Sequence, residues 1–507
     1  MLAPFWVKAE GQEADSRRCA MLFVVKQITG GIERNRAMRA PAIVEAFCEG
    51  FKQKCQEFCM RRLHGDKEMS PGDCEDLESM LLDGVSAGGV KAMREYVESC
   101  ETGSPAIKVD GELMRFKAYE SKEFHVGFGV VSIRRRLYQQ EGGGSCVSPL
   151  DMKFNVVDEF AFPSVRRSVL HEAALMTPVE ISETMADWHV PPLSETAIKR
   201  MINVAGARQE MLRPELEEAT SLAKRLPENP LALVGSMDGT STPVRVERDG
   251  RKYQVQFKMS MAGATGVYGE LHEDDTGHLK MGRLASTGFA RMPEEGFPTF
   301  KASFDAELAA VSKALPSEIP RILLCDGSAA LWNHARKTPL YKGFKWLIDY
   351  YHMSEHLSSA STALFGEGSK EGYAWLEKWK ATLLSEEKSA KGIARSLDYY
   401  ARTRKISERR RETLAEQATY FKNNHKLMNY AWFVKRGLPI GSGPVESCCK
   451  VLIKGRLCQS GMSWSESGGQ AILTLRAHRK YGHWNTFWTA YDNSQKESMP
   501  TLVEDAA

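Results

Sequence analysis

Long apolar runs, paired cysteines and internal repeats are all absent from this sequence. No apolar run reaches the roughly 18 residues that a helix needs to span a bilayer, and Lys8 and Glu10 come too early for a signal-peptide core. None of the eleven cysteines forms a C-x-x-C pair. We therefore expect a cytoplasmic protein with reduced cysteines and no membrane partner. A zinc site at Cys48, Cys55 and Cys59 is a less favoured alternative, because paired-ligand spacing is missing.

The net charge of +3 is small but unevenly distributed. Residues 401–480 carry 16 Lys and Arg against five Glu and no Asp, a local net charge of +11. Most charge runs are solvated helical faces. Charge concentrated this strongly also suits a polyanion such as nucleic acid, because neutralised phosphates release counterions.

A length of 507 residues predicts two to four domains. Residues 1–105 are expected to be helical. The alternation of FHVGFGVVSIRRRLY predicts strands within 106–164. From residue 231, three predicted strands, a helix at 301–315 and the buried strands RILLCD and FKWLID indicate a mixed sheet. Residues 353–435 carry helical signals without clear strand signals, so the fold class is α+β and multidomain.

Residues 165–230 contain a candidate helix-turn-helix. Thr177-Pro178-Val179-Glu180 supplies a capping box with proline at the first helical position. Ser194 is expected to cap a second helix that carries Lys199 and Arg200 on its outer face. Such a pair could place its second helix in a DNA major groove, although two amphipathic helices joined by a proline turn more often only pack together.

Two aspartates each follow a predicted buried strand and precede a glycine. Asp238 follows the apolar run Leu231–Val234, and Asp326 follows Ile322–Cys325. Open α/β sheets bind ligands beyond the carboxyl ends of their strands. A single Asp-Gly pair more often marks only a turn, but two pairs that both end predicted core strands weaken that interpretation.

Glu446 lies in the first turn of another predicted helix, with Pro444 at its first position. The helix dipole favours a carboxylate there in its ionised form. Taken alone, Glu446 is better explained as an ordinary N-terminal Glu that pairs with Lys450. The helix is predicted to bury Val445, Cys448, Cys449, Leu452, Ile453 and Leu457.

The three carboxylates together predict a magnesium site. Magnesium prefers carboxylate oxygens, and two such ions about 4 Å apart serve phosphodiester chemistry by activating one oxygen and stabilising the other. Basic residues that follow Glu446 are predicted to contact the DNA backbone; they are Lys450, Lys454 and Arg456.

A competing motif follows the strand that ends at Asp349. His352, Glu355 and His356 spell H-x-x-E-H, the signature of one class of zinc peptidases. That interpretation leaves Asp238, Asp326 and Glu446 without a role.

Four segments together resemble the ISKra-type insertion-sequence transposases, which are similar to the wider Mutator-like group of DDE transposases. The segments are MDGTSTPVR, LLCDGSAALWNHA, LIDYYHMSEHL and GLPIGSGPVESCCKVLIKGRLCQSGMSWSESGGQAILTLR. The resemblance covers roughly residues 230–485. It implies an RNase H-like catalytic fold interrupted by a helical insertion between the second Asp and the Glu.

The resemblance also assigns residues. It places the acidic triad, and so the catalytic and metal-binding role, on Asp238, Asp326 and Glu446. It places an Asp-x-x-His motif on Asp349 and His352. Trp332 also matches, either as a core residue or as a contact for displaced DNA bases. Relatives carry a zinc-ribbon-like element where this chain retains only Cys146, so zinc is not expected.

We therefore predict a DDE transposase that cleaves DNA strands at element ends and transfers them into target DNA. Its expected cofactor is Mg²⁺, for which Mn²⁺ substitutes. Its expected partner is double-stranded DNA, both the terminal inverted repeats of the element and the target. We also expect a homodimer or larger synaptic assembly, associated with a bacterial-type nucleoid. A catalytically silent DNA-binding protein derived from a transposase is the main alternative.

The predicted regions are 1–105 (helical), 106–164 (small β-rich, degenerate zinc-ribbon-like), 165–230 (helix-turn-helix), 231–352 (first part of the core), 353–435 (helical insertion), 436–485 (second part of the core) and 486–507 (tail).

Overall fold

The computed structural model describes residues 40–62, 71–248, 252–273 and 279–504. These residues divide into two units. The first unit contains the described residues up to Val169, residues Pro178–Ile198, and those from Gln495 onward. The second contains Leu170–Thr177 and Lys199–Ser494. Among the described residues, none of the helices combines the length and apolarity that crossing a membrane requires.

The first unit is built on a four-stranded sheet. Helices α1 (Ala40–Arg62) and α2 (Pro71–Ser99) precede strands β1 (Ala106–Val109), β2 (Glu112–Val126) and β3 (Gly129–Gln140). The sheet order is β3-β2-β1-β9, where β9 is Leu502–Val503, and every pairing is antiparallel. Alternate residues of β2 and β3, among them Phe124, Val131 and Ile133, are buried with Val97 of α2. The strands predicted from FHVGFGVVSIRRRLY are therefore present.

Short helices follow: α3 (Pro149–Lys153), α4 (Pro163–Ala173), α5 (Pro178–Asp187), α6 (Glu195–Met211) and α7 (Arg213–Thr220). As predicted, α5 begins at Pro178, and the Ser194 hydroxyl accepts the Ala197 N–H at the start of α6 (3.2 Å). Lys199 and Arg200 are exposed. Helical spacing from Ile181 and Met185 predicts Trp188 on the apolar face of α5, but Trp188 lies beyond the helix and is exposed, so that prediction is wrong. DNA recognition by these helices stays a prediction.

The second unit contains a five-stranded mixed sheet. Its elements are β4 (Ala232–Arg248), β5 (Lys252–Glu273), β6 (Leu279–Arg291), α8 (Pro298–Ala314), β7 (Arg321–Cys325), α9 (Ala329–Lys337) and β8 (Lys345–Ile348). The sheet order is β6-β5-β4-β7-β8. β5 is antiparallel to β4 and β6, whereas β7 is parallel to both β4 and β8. The mixed sheet expected from the sequence is present.

The first strand of this sheet is longer than predicted. It continues through Asp238 and Gly239 to Arg248, because it pairs with β5 without interruption from Ala232↔Tyr268 to Arg248↔Lys252. Asp238 is therefore not at a strand end, and Asp238-Gly239 is not a turn. Only the pairing of β4 with its parallel neighbour β7 stops near this point.

The helical segment packs on the sheet and shares its core. It comprises α10 (Tyr350–Phe365), α11 (Lys370–Ser385), α12 (Ala390–Thr403), α13 (Glu408–Asn424) and α14 (Tyr430–Val434). Leu323 of β7, Leu357 of α10, Leu397 of α12 and Phe421 of α13 belong to one buried cluster. The segment is therefore held against the strand ends by continuous apolar burial.

The C-terminal part of the second unit begins with α15 (Gly443–Cys448), a π-helical turn at Cys449–Lys454 and α16 (Gly455–Leu457). It ends with α17 (Glu466–Lys480) and with α18 (Trp484–Glu497) as far as Ser494. All six residues that the sequence predicts as the buried face of the first helix are buried. The helix begins at Gly443, one residue earlier than predicted. The π-helical turn was not predicted, and such turns are frequent at functional sites.

Candidate functional site

The strand register aligns three aspartates at one edge of the sheet. β4 and β7 pair as Leu233↔Arg321 through Gly235↔Leu323, and this register, continued by three residues, sets Asp238 beside Asp326. β7 and β8 pair through Cys325↔Ile348, so the next residues are Asp326 and Asp349. The Asp349 N–H donates to the Cys325 carbonyl (2.9 Å), which extends that ladder. Asp238 thus lies within β4, and Asp326 and Asp349 are the first residues after β7 and β8, at the same edge of the sheet.

Asp326 carries the electrostatic signature of this crowding. Burial raises the pKa of its carboxyl, and the negative charges of Asp238 and Asp349 raise it further. The Ser328 N–H, which donates to Oδ1 (2.9 Å), and the nearby His352 lower this pKa. Carboxylates that share a site repel each other unless a cation compensates them. Asp326 therefore lies where a cation would stabilise its charged form.

Asp349 ties this edge to the segment that carries Glu446. Its side chain is fully buried and caps α10 by accepting the His352 N–H at Oδ1 (2.8 Å). Its Oδ2 accepts the Ser442 N–H, and the Tyr350 N–H donates to the Ile440 carbonyl (3.0 Å). Ser442 is the residue from which α15 begins. Asp349 therefore positions the start of the helix that carries Glu446.

The other end of that helix is anchored on Asp238. The Cys449 thiol donates to Asp238 Oδ2 (3.5 Å), and the Cys448 thiol donates to the carbonyls of Gly263 and Phe289 (3.7 and 3.5 Å). Burial and the Asp238 charge raise the pKa of the Cys449 thiol, which keeps it a donor. Glu446 precedes Cys449 by three residues, a spacing that puts two side chains on the same helix face about 5–6 Å apart. Glu446 is partly exposed.

α13 of the helical segment covers Asp326. Tyr420 packs so closely on Gly327 that a Cβ there would lie 2.8 Å from the Tyr420 ring. The same ring stacks on His356 (3.6 Å between centroids), whose Nδ1 is 2.7 Å from Gln417 Oε1. The charges of Asp326 and Asp349 add to the effect of burial in raising the pKa of Tyr420. The contacts of Tyr420 and Cys449 with these aspartates could not be predicted from the sequence, since both residues reach them only through tertiary packing.

The predicted DNA contacts divide into two groups. Lys450 and Lys454 are exposed on the helix that follows Glu446. Arg456 is only 2% exposed, its guanidinium donates to the Met176 carbonyl (2.9 Å), and it lies over the Trp464 ring (5.0 Å). The prediction that Arg456 contacts DNA is wrong, because its guanidinium is buried and donates to a carbonyl within the protein.

Trp332 is a core residue. It is buried, stacks on Trp346 (5.9 Å between centroids) and donates its indole N–H to the Asp326 carbonyl (2.8 Å). Of the two interpretations open from the sequence, the packing favours the core and leaves no ring face for a DNA base. Trp332 thereby fixes the backbone at Asp326.

The part of the chain that the structure describes contains no group of three or more His, Cys, Asp or Glu side chains placed to hold one metal ion. This holds for Asp238, Asp326 and Glu446, and equally for His352, Glu355 and His356. His352 Nδ1 lies 3.7 Å from Glu355 Oε2, while His356 is engaged by Gln417 and Tyr420. The finding therefore does not separate the two interpretations of the sequence.

Comparison with known proteins gives little. No family model matches the chain, and no curated protein matches it. Among solved structures, the chain is similar to one described as the Drosophila P element transposase strand transfer complex. The identity is 11%, the match covers 70% of this chain and 85% of that one, and the TM-score is 0.23. A TM-score this low carries no argument about fold or function.

Proposed function

We propose that this protein is a metal-dependent DNA transposase of the DDE type. In this proposal Asp238, Asp326 and Glu446 hold two Mg²⁺ ions, and the same site cleaves a DNA strand and joins the freed 3′ end to target DNA. The observation that carries the proposal is the parallel pairing of β4 with β7, which ends three residues before Asp238 and Asp326 and brings the two carboxylates near each other. Two contacts connect this edge of the sheet to the helix that carries Glu446. Asp349 accepts the Ser442 N–H at the start of α15, and Cys449, which follows the end of α15, donates to Asp238.

The sheet supports an RNase H-like core. Numbered within the sheet, its strands run in the order 3-2-1-4-5 with only the second strand antiparallel to the others. This is the arrangement expected of an RNase H-like fold. The helices between Asp326 and Glu446 correspond to the insertion that the resemblance to ISKra-type transposases implies.

The donor set fits magnesium. Carboxylate oxygens are the ligands that hard divalent cations prefer, and burial of Asp326 beside Asp238 and Asp349 leaves negative charge that a cation would compensate. When bound, the ions would activate the attacking oxygen and stabilise the leaving one. Asp349 keeps the start of α15 in place, and Tyr420 and Trp332 hold Asp326 from two sides. Lys450 and Lys454 would neutralise phosphates of the bound DNA.

The direct test incubates the purified protein with duplex DNA from the regions that flank its gene, in the presence of Mg²⁺, and maps the cut ends. We expect strand breaks at element ends and joined products in target DNA. Glu446→Gln should abolish both while leaving the folded state and DNA binding largely intact. Its matched control is Glu355→Gln, an exposed carboxylate of the H-x-x-E-H motif, which should cleave normally.

Three outcomes would reject or redirect the proposal. Normal magnesium-dependent cleavage by Glu446→Gln rejects the assigned site. DNA binding without cleavage by the wild-type protein favours the catalytically silent alternative. A zinc-dependent peptidase activity that Glu355→Gln removes favours the H-x-x-E-H interpretation.

A further inference from the structure

The hairpin of β4 and β5 leaves one backbone edge open. β6 pairs with β5 only from Met261 onward, so between Lys252 and Ser260 β5 pairs with β4 alone. Within the described residues, no strand pairs with the other edge of this stretch. Such an edge presents unpaired N–H and C=O groups that another strand can use.

An apolar stripe runs along the same stretch. Tyr253, Val255, Phe257 and Met259 are 58%, 46%, 72% and 48% exposed. Because side chains alternate between the two faces of a strand, these four share one face. Proline, a common protection of an open edge, does not occur between 252 and 260. The one charged side chain between Tyr253 and Met259, that of Lys258, lies on the opposite face and pairs with Glu466 (3.4 Å).

The opposite face of the hairpin base is already covered. Thr242, Val244 and Ser260 are fully buried there, and Val244 forms a bridge with Trp464. The Arg245 N–H donates to the Trp464 carbonyl (2.8 Å), which closes the outer edge of β4 as well. The open edge of β5 and the apolar stripe beside it are therefore available to another strand.

We propose that a second copy of this chain pairs with that edge, β5 against β5, in an antiparallel two-fold dimer. The pairing is centred on Gln256. Tyr253 then faces the partner's Met259, Val255 faces the partner's Phe257, and Gln254 faces the partner's Lys258. A strand that pairs with its own copy in antiparallel orientation gives a closed, isologous interface.

This register is favoured over the registers centred on Val255 and Phe257, because of charge and because β6 already pairs with part of the β5 edge. Centring on Val255 would set Lys252 opposite the partner's Lys258, and like charges in directly opposed positions are destabilising. Centring on Phe257 would set Tyr253 opposite the partner's Met261, where β6 already occupies the edge. If each residue instead paired with a partner residue one position further along, the apolar stripe would lie on the same face as the partner's glutamines. The Gln256 register keeps all four apolar side chains together and opposes no like charges.

This inference does not depend on the proposed function, and sedimentation velocity of the full-length protein across a range of concentrations tests it. The wild-type protein should form a dimer. Phe257→Lys should raise the dimer dissociation constant by about 100-fold or more, because each dimer loses the apolar contact twice. Tyr399→Lys, at an equally exposed aromatic residue of α12, should leave it unchanged. A monomeric wild-type protein, or a dimer that Phe257→Lys leaves intact, overturns the proposal.

Cross-linking tests the register itself. Gln256→Cys places two thiols opposite each other on the two-fold axis, within reach of a short bismaleimide. In Gln254→Cys the two thiols lie four residues apart along the strands, roughly 13 Å, and should not be linked. Wild-type protein measures the background from the exposed native thiols of Cys48, Cys74 and Cys146. We expect a covalent dimer severalfold above background for Gln256→Cys alone. Equal linking of the two cysteine variants would contradict this register. A monomeric wild-type protein whose Phe257→Lys variant loses DNA affinity would contradict the dimer itself.

Discussion

The Cys449 thiol donates to the Asp238 carboxylate across 3.5 Å, although 211 positions separate the two residues. This contact fixes the far end of the helix that carries Glu446 against the strand that carries Asp238. Placement of the third carboxylate therefore depends on a thiol that has no chemical role of its own in the proposed reaction.

Cys449→Ala should weaken the site more than it weakens the fold. Cys448→Ala is the matched control, because Cys448 is equally buried but bonds to main-chain carbonyls of β5 and β6 and to the Tyr481 hydroxyl, not to a carboxylate. Each substitution should lower the free energy of unfolding by about 1 kcal/mol. Only Cys449→Ala should also reduce Mn²⁺ affinity and strand cleavage. Urea unfolding and calorimetric titration measure the two effects, and equal losses of Mn²⁺ affinity in both variants would show that the contact does not position Glu446.

Asp326 should make stability without metal depend on pH. Its pKa is raised in the folded state, so over the window from the unfolded value, about 4, up to the raised value, the folded protein binds more protons. Stability should therefore fall as pH rises through this window and stay low above it. Asp326→Asn keeps an acceptor for the Ser328 N–H and removes the charge, so it should unfold at higher urea than wild type at pH 7.

Magnesium supplies the control for that prediction. Mg²⁺ should stabilise the wild-type protein more at pH 7 than at pH 4.5, and it should have little effect on Asp326→Asn. Urea titrations with and without Mg²⁺ at both pH values decide this. If Asp326→Asn is less stable than wild type at pH 7 without metal, then burial and the charges of Asp238 and Asp349 do not destabilise ionised Asp326.

Tyr420→Phe should not destabilise the fold. The Tyr420 hydroxyl is buried and has no hydrogen-bond partner in the described part of the chain, and the same is true of the Tyr430 hydroxyl. Removing a buried unpartnered hydroxyl is neutral or stabilising by about 1 kcal/mol. Tyr430→Phe is the matched comparison. Thermal unfolding of both variants tests this, and a loss of more than about 1 kcal/mol would show that the hydroxyl makes a hydrogen bond.

Arg456→Ala and Lys454→Ala should separate folding from DNA binding. Arg456 is buried with its guanidinium bonded to the Met176 carbonyl, so its loss should cost about 2–4 kcal/mol of folding free energy. Lys454→Ala should leave stability unchanged, weaken DNA binding and reduce the salt dependence by about one unit. Urea unfolding and DNA titrations at several salt concentrations measure both effects. The opposite assignment, a stable Arg456→Ala that binds DNA weakly, would restore Arg456 as a DNA contact.

The succession of strands along the chain and the mixed sheet could be predicted from the sequence, because each of these strands carries an apolar run. Asp326 and Asp349 follow β7 and β8 as expected. The length of β4 could not be predicted, since MDGTSTPVR carries a turn-like Asp-Gly pair, and only continuous pairing with β5 keeps it extended. The alignment of Asp238 with Asp326 depends on register, which periodicity alone does not specify across a parallel pair.

Other parts of the site depend on tertiary packing that spacing does not reveal. Arg456 follows Lys450 and Lys454 in a basic pattern, yet the π-helical turn at Cys449–Lys454 changes the phase of the helix before it. Tyr420 lies in a polar helix, and only the fold brings it over Gly327. The roles of Lys199, Arg200, Lys450 and Lys454 in DNA binding stay predictions, as does the magnesium requirement.

Calorimetric titration of Mn²⁺ into the full-length protein tests the central claim most directly. The account predicts two bound ions for the wild-type protein and for Glu355→Gln. It predicts at least a tenfold loss of affinity in each of Asp238→Asn, Asp326→Asn and Glu446→Gln. Unchanged Mn²⁺ binding in these three variants would contradict the account, because it would mean that the three carboxylates do not share the ions.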